Sequence, residues 1–307
     1  MCATCGCSDH DAVTVTALGD GHTRPAHRHA HHASDHDHDH DHEHDHGHSH
    51  VVHHHDHADH GHSHDRHHVQ HKHEHAHVHS HQHGTLIALE QEVLARNSQL
   101  AERNRGWFDG RNILALNLVS SPGAGKTSLL ERTIRDLHGE PVISVIEGDQ
   151  ATLNDAERIG GTGCKVVQIN TGAGCHLDAD MLARGLRELA PPLNSVVMIE
   201  NVGNLVCPAL FDLGERAKVV ILSVTEGDDK PAKYPHMFRA SRLMILNKVD
   251  LLPHISFDVE RCIDYARRIN PDIEVLQLSA TTGEGLTSWY DWLKRQVQTD
   301  SFTETTP

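Results

Sequence analysis

From residue 113 onward the chain alternates short aliphatic runs with longer amphipathic ones. The runs 113–119, 142–147, 165–169, 196–199, 219–224, 243–246 and 275–278 are apolar nearly throughout, the pattern of strands covered on both faces. Between them, 126–137, 152–159, 178–189, 232–240, 258–269 and 286–297 keep helical spacing. Alternation of this kind predicts an α/β fold with a doubly wound, mostly parallel sheet and ligands at the carboxyl ends of its strands. An earlier stretch, 85–105, carries Leu86, Leu89, Val93 and Leu100 on one helical face, with Ala88 and Ala101 between them. Glu90, Glu92, Arg96 and Glu102 take the other face. It predicts an amphipathic helix that docks on the domain or on a partner, with Trp107 and Phe108 pinning its end.

Before residue 85 the pattern vanishes. Of the 34 histidines in the 307-residue chain, 29 lie between His22 and His83. Residues 1–84 hold 13 acidic and four basic residues and almost no aliphatic ones. Such a segment cannot offset its chain entropy by burial, so disorder is expected there. The organisation expected is a metal-binding tail at 1–84, a helix at 85–110, a nucleotide-binding domain at 111–300 and a flexible end at 301–307. No window has the apolar length of a membrane span, and the start has no signal-peptide apolar region. The net charge of −16 argues against nucleic acid as a partner. Seven cysteines without the density of a disulfide scaffold read as reduced thiols in a cytoplasmic protein.

Chemistry concentrates where strands end. After the run 113–119 comes Ser120-Ser121-Pro122-Gly123-Ala124-Gly125-Lys126-Thr127-Ser128, then a helix. Strand, glycine loop and helix form the context in which a phosphate loop works. Gly123 and Gly125 let successive N–H groups turn inward around an anion, with Ala124 and Ser128 completing the cradle, and the helix N-terminus adds its own donors. Lys126 would sit on the β- and γ-phosphates and the Thr127 hydroxyl on Mg²⁺. Ser120 stands where the usual pattern has its first glycine. A glycine turn that binds nothing is the competing reading, and the downstream motifs weigh against it.

Asn247-Lys248-Val249-Asp250 follows the run 243–246. The Asp250 carboxylate can accept from N1–H and N2–H₂ of guanine, where adenine offers no donor, so GTP is favoured over ATP. The Asn247 amide is the second group expected to read the base edge, and Ser279 and Ala280 are a further base contact. Glu200, closing the run 196–199, is placed to orient Mg²⁺, and Gly203 to bring a backbone N–H to the γ-phosphate. Asp149, in Glu147-Gly148-Asp149, is a candidate for Mg²⁺ or the attacking water, whereas Asp155 reads as a solvated loop residue. No arginine is placed as a finger and Asn204 occupies the position after Gly203, so hydrolysis should be slow.

Soft-metal donors recur. Cys2, Cys5 and Cys7 can fold around one ion, with planar Ni²⁺ or tetrahedral Zn²⁺ both feasible. The histidine tract 22–83 offers many weak sites for Ni²⁺, Cu²⁺ or Zn²⁺, its interleaved aspartates easing charge repulsion on loading. Cys175-His176, in a glycine-rich loop, and Cys207 form a third set, with a buried structural Cys207 as the alternative. Cys164 and Cys262 read as structural.

Taken together, Cys-x-x-Cys-Gly-Cys at 2–7, the histidine tract, the phosphate loop at 120–127, Glu-Gly-Asp-Gln at 147–150, Gly-Cys-His at 174–176, Glu-Asn-Val-Gly-Asn-Leu-Val-Cys-Pro at 200–208 and Asn-Lys-Val-Asp at 247–250 resemble the hydrogenase nickel-incorporation GTPases, the HypB-type family. These belong to the signal-recognition and MinD class of P-loop proteins. The resemblance implies a high-affinity nickel site at Cys2, Cys5 and Cys7, and a nucleotide-responsive nickel or zinc site at Cys175, His176 and Cys207 near a GTP-dependent homodimer interface. It also implies slow GTP hydrolysis that gates nickel delivery to the large subunit of a nickel–iron hydrogenase, with a small zinc-containing partner. Two alternatives stand beside it. One is passive nickel or zinc storage with a nucleotide-dependent dimerisation domain; the other is a related GTPase serving urease or zinc.

Overall fold

The structure, a computed structural model, describes residues 13–18, 79–150 and 153–301, with the backbone alone described at 79–90 and 299–301. All of these belong to one compact unit. The strands are β1 (Thr14–Leu18), β2 (Leu114–Ser120), β3 (Ile143–Asp149), β4 (Lys165–Asn170), β5 (Val196–Glu200), β6 (Ala217–Ser223), β7 (Ser241–Asn247) and β8 (Glu274–Leu278). The helices are α1 (His79–Asp109), α2 (Lys126–Leu137), α3 (Asn154–Gly160), α4 (Ala179–Leu189), α5 (Cys207–Leu210), α6 (Lys230–Lys233), α7 (Pro235–Ala240), α8 (Val259–Ile269) and α9 (Leu286–Ser301), with a 3₁₀ turn at Val249–His254.

The eight strands form one sheet in the order β1-β4-β3-β5-β2-β6-β7-β8. Every described pairing is parallel except β1 with β4. One face is covered by α2, α3 and α9, where Leu129, Ile159, Trp289 and Trp292 meet alternate residues of β2, β3 and β6. The other is covered by α1 and α4 over β3–β5, and by α7 and α8 over β6 and β7. Burial on both faces explains why these strands read as continuous apolar runs.

Four differences from the sequence reading have physical causes. The alternating segment 14–18 is a strand inside the stretch expected to be disordered; it adds to the free edge of β4, and Val13 and Val15 pack against the α4-side cluster. The helix expected at 232–240 is two short ones, because Pro235 has no N–H to continue the first. Helix α1 begins earlier than expected and ends at Asp109. Its docking face is also not the one expected. Val93 is 48% exposed, while Asn97, Ala101, Asn104 and Phe108 are buried.

That face is chosen by hydrogen bonding. Asn104 Nδ2 donates to the carbonyls of Ala179 and Leu213 at 2.8 and 3.0 Å. Asn97 donates to the Asp212 carbonyl at 2.7 Å and accepts from Ala179 N–H at 2.9 Å. Two amides thus bond backbone groups at the start of α4 and in the turn before β6, among them the Ala179 N–H, a helix-start donor that an apolar stripe would leave unpaired.

Candidate nucleotide and metal site

The carboxyl ends of β2, β3, β5 and β7 converge on the phosphate loop. Gly123 and Gly125 have φ of +75° and +98°, and a Cβ on Gly125 would come within 2.5 Å of the Asn247 amide, so this curl needs glycine. Helix α2 begins at once with Lys126, whose ammonium donates to Ser120 Oγ at 2.9 Å. The departure at Ser120 therefore supplies Lys126 with a partner. Burial holds the lysine below its ordinary pKa, opposed by the nearby Glu200 charge. Ser128 is exposed on α2, 3.5 Å from Arg158. Gly203 lies against Pro122, where a Cβ would stand 3.1 Å from the proline ring and backbone.

Thr127 Oγ1 donates to Glu200 Oε1 at 2.7 Å, so the two expected Mg²⁺ ligands meet. Glu200 is the register partner of Glu147 on β3, a residue the sequence reading passed over in favour of Asp149. Burial pushes Glu147 up to about 8, helped by the charges of Glu200, Asp149 and Asp155, and pushes Glu200 up to about 7 against the opposing pull of the Lys126 charge and the Thr127 hydrogen bond. One oxygen of each, Oε2, is buried with no hydrogen-bond partner among the described residues. A hydroxyl beside two carboxylates with free buried oxygens is a hard-donor set that fits Mg²⁺. Bound there, the ion would neutralise phosphate charge. Asp149 instead has its Oδ1 on the Gln150 N–H at 2.7 Å, while its carbonyl accepts from Thr171 N–H at 2.8 Å.

Asn247 is engaged by backbone on two sides. Its Nδ2 donates to the Ala124 carbonyl at 2.9 Å, and its Oδ1 accepts from Lys248 and Ala280 N–H at 2.8 and 3.2 Å. The amide thus ties the phosphate loop to β7 and to the Ser279–Ala280 segment, with its second N–H still available beside Asp250. Lys248, in the left-handed region at φ +64°, donates to the Gly123 carbonyl at 2.7 Å. Lys230, which nothing in the sequence pattern singled out, reaches Ser121 Oγ at 3.4 Å.

The loop 171–176 leaves β4 and folds back on itself, Gly174 N–H donating to the Thr171 carbonyl at 2.9 Å. It presents Cys175 and His176 to Cys207, the first residue of α5. The two Sγ atoms are 3.0 Å apart, Cys175 Sγ lies 3.7 Å from His176 Nδ1, and all three donor atoms fall within 4.8 Å of one another. Burial, against a raising effect from Asp178, lowers the His176 pKa and so favours the neutral ring whose lone pair a metal needs. Phe211 stacks on that ring at 3.9 Å. Two thiols and an imidazole suit Ni²⁺ or Zn²⁺, and Cys207 is both buried and within reach of the other two donor atoms. Cys164 and Cys262 are buried elsewhere, their thiols pushed up to about 12 by desolvation. Cys2, Cys5, Cys7 and the tract 22–78 lie outside the described residues, and 79–83 contribute helical backbone.

Polar groups join the two halves of the site. Asn201, next to Glu200, accepts from Leu177 N–H at 3.1 Å and donates to Asn117 Oδ1 at 3.2 Å. Asn117 donates to Glu215 Oε1 at 3.1 Å, and Glu215 pairs with Lys218 at 2.7 Å. The signal for Asn117 was present: it is the one polar residue in the apolar run 113–119.

Phosphate loop and thiol cluster therefore share the carboxyl-end side of one sheet, which defines a P-loop nucleotide-binding protein with three soft donor groups on the same side as the loop. Residues 114–277 match the family described as "CobW/HypB/UreG, nucleotide-binding domain". Hydrogenase maturation factor HypB of Escherichia coli (strain K12) is 58% identical over 211 residues, covering 69% of this chain and 73% of that one. Among solved structures, HypB from Archaeoglobus fulgidus aligns with a TM-score of 0.62 at 40% identity, over 66% of this chain and 99% of that one. HypB from Helicobacter pylori in complex with nickel aligns at 0.63 and 32%, over 69% and 100%. The chain belongs to the CobW/HypB/UreG family, and within it to the HypB-type hydrogenase maturation factors.

Proposed function

We propose that this chain is a GTP-hydrolysing nickel metallochaperone that stores nickel and delivers it to a nickel–iron hydrogenase during maturation. The observation that carries the reading is the Asn201–Leu177 hydrogen bond, which links the strand end holding Glu200 to the loop holding Cys175 and His176. Lys126 and the loop N–H groups bind the phosphates. Thr127 and Glu200, backed by Glu147, hold Mg²⁺, and Asp250 selects guanine. Nickel is the cargo, held by Cys175, His176 and Cys207; zinc shares the same donor preferences.

Exchange of GDP for GTP adds charge at the end of β5, and the following segment 201–207 carries both Asn201 and Cys207, so nucleotide state and metal geometry are mechanically joined. Val206 and Leu210, 45% and 54% exposed, flank Cys207 and support a homodimer formed across the metal centre with GTP bound. A small zinc-containing maturation partner and the hydrogenase large subunit complete the reading. No helix among the described residues is long and apolar enough to cross a membrane, in keeping with action in the cytoplasm.

The test is Ni²⁺ affinity by chelator competition, with GDP and again with a non-hydrolysable GTP analogue, in the wild type and Cys207→Ala. A nucleotide-dependent shift that vanishes in the variant supports the reading. Affinity indifferent to nucleotide assigns metal handling to the tail and supports storage instead.

A further inference from the structure

Lys126 is not the only ammonium at the phosphate loop. Lys230, on α6, brings Nζ to 3.4 Å from Ser121 Oγ, although 109 residues separate the two in sequence. Its side chain is only 20% exposed, and its ion pair is with Glu226, Nζ to Oε2 at 3.5 Å. The Tyr234 ring, 5.2 Å away, adds a weak attraction. Both polar contacts are long, since an ammonium bonded to a carboxylate normally stands at about 2.7–2.9 Å. A lysine has three donors to place and loses hydration when it is covered this far. Lys230 is a partly dehydrated cation held by long contacts.

The surrounding carboxylates are engaged elsewhere. Asp228 pairs with Arg261, and Asp229 with Lys233 at 2.7 Å. Glu226 is anchored at the end of β6, its Oε1 accepting the Ser223 N–H at 3.0 Å, while its Oε2 is buried with no hydrogen-bond partner among the described residues. Fixed there, Glu226 reaches the ammonium with its charge but not with a close hydrogen bond.

Lys230 faces the terminal-phosphate end of the loop. Lys126, the expected partner of the β- and γ-phosphates, donates to Ser120 Oγ at 2.9 Å, so the first residues of the loop stand beside that ammonium. Ser121 is the next residue. Pro122 follows, and Gly203, the expected donor to the γ-phosphate, packs against it. Lys126, Gly203 and Lys230 thus approach residues 120–122 from α2, from the segment after β5 and from the segment after β6. The Glu226 charge also acts on Lys126, after burial and the charges of Glu200, Asp155 and Glu147.

We propose that Lys230 is a second phosphate-binding ammonium, which exchanges its contacts with Ser121 and Glu226 for an oxygen of the terminal phosphate and so favours GTP over GDP. The proposal rests on reading this loop as a GTP site. Only non-covalent contacts change. A terminal phosphate offers three acceptor oxygens and roughly twice the charge of the anchored carboxylate, so it outcompetes Glu226 for the ammonium. GDP ends one phosphate short, and with it Lys230 keeps its place beside Glu226.

The experiment measures binding of GDP and of guanosine β,γ-imidotriphosphate, each with Mg²⁺, to the full chain by competition with a fluorescent guanine nucleotide. Lys230→Met is expected to weaken the triphosphate analogue about tenfold or more, the loss of a charged hydrogen bond, while GDP affinity changes by less than about twofold. Lys230→Arg keeps charge and donors and is expected to restore part of the preference. Glu226→Gln keeps the oxygen that Ser223 needs and removes the competing charge, so preference for the analogue is expected to rise. Equal losses for both nucleotides in Lys230→Met, or a preference unchanged in it, overturn the proposal. So does a preference that falls in Glu226→Gln, the mark of an ion pair serving only as a strut. Should Lys230→Met not fold, Glu226→Gln alone decides. A wild type that binds neither nucleotide defeats instead the GTP-site reading, and the proposal falls with it.

Discussion

Asn201 Oδ1 accepts the backbone N–H of Leu177 at 3.1 Å, and through this bond the residue after Glu200 holds the residue after His176. Both partners are buried, so no water can replace either one. A change at the γ-phosphate that shifts Glu200 shifts Asn201 with it, and the metal loop must follow or lose the bond.

Asn201→Ala should therefore uncouple the two sites while leaving each able to bind. Coupling between ligand sites is commonly about 1–3 kcal/mol. In the variant, the difference in Ni²⁺ affinity between the GDP state and the GTP-analogue state should fall to near zero, with GTP affinity changed little. Chelator competition in both nucleotide states measures it, and an undiminished difference would place the coupling elsewhere.

The raised carboxyls of Glu147 and Glu200 set a pH dependence. An acid whose folded pKa exceeds its unfolded value binds more protons when folded, so the stability linked to it is full below the unfolded value and is lost as pH rises through the folded one. For Glu147 that window runs from 4.5 to about 8. Nucleotide-free wild type should lose thermal stability relative to Glu147→Gln as pH is raised from 5 to 8. Midpoints for the two proteins that track one another across this range would disprove the assignment.

Asp250→Asn tests base reading. The carboxylate accepts two donors of guanine, whereas an amide N–H matches the 2-carbonyl of xanthine. Losing charged hydrogen bonds of about 1.5–3 kcal/mol should lower GTP affinity by about 10–100-fold while XTP affinity rises. Competition between the two nucleotides reads this directly.

Asn104→Leu should be more damaging than its apolar character suggests. It leaves the buried carbonyls of Ala179 and Leu213 without their side-chain donor. The Ala179 carbonyl keeps its partner inside α4, so the main cost is the Leu213 acceptor, about 1–3 kcal/mol. Urea unfolding, followed with GTP bound and free, measures the shift in midpoint.

The fold was legible because parallel strands buried on both faces write themselves as unbroken aliphatic runs, and the phosphate loop because its spacing is fixed by backbone geometry. Cys175-His176 and Cys207 are 31 residues apart in sequence yet stand together in space, each following a predicted strand at its carboxyl end. What escaped was decided by tertiary hydrogen bonds. Asn97 and Asn104 on α1 look like solvated positions until the turn before β6 presents its carbonyls to them. Asn247 has the chemistry to read a base, but its backbone ties to Ala124 and Ala280 could not be read from the sequence. Glu147 was overlooked for Asp149 because only the register of β3 against β5 reveals which carboxylate faces Glu200. Strand β1 was hidden by its surroundings, five alternating residues beside a tract of very different composition.

The division of the cysteines has a consequence under oxidative stress. Cys164 and Cys262, with thiols pushed up to about 12 and buried in the core, hold almost no thiolate and resist peroxides. Cys175 and Cys207, 3.0 Å apart, need to approach by only about 1 Å to reach disulfide bonding distance. Damage would therefore fall on cargo handling while the architecture survives, a lesion that thiol reductants can reverse. On the proposed metal reading, a bound ion would occupy both sulfurs, so a loaded molecule would be the protected one and an empty molecule the one that oxidation silences.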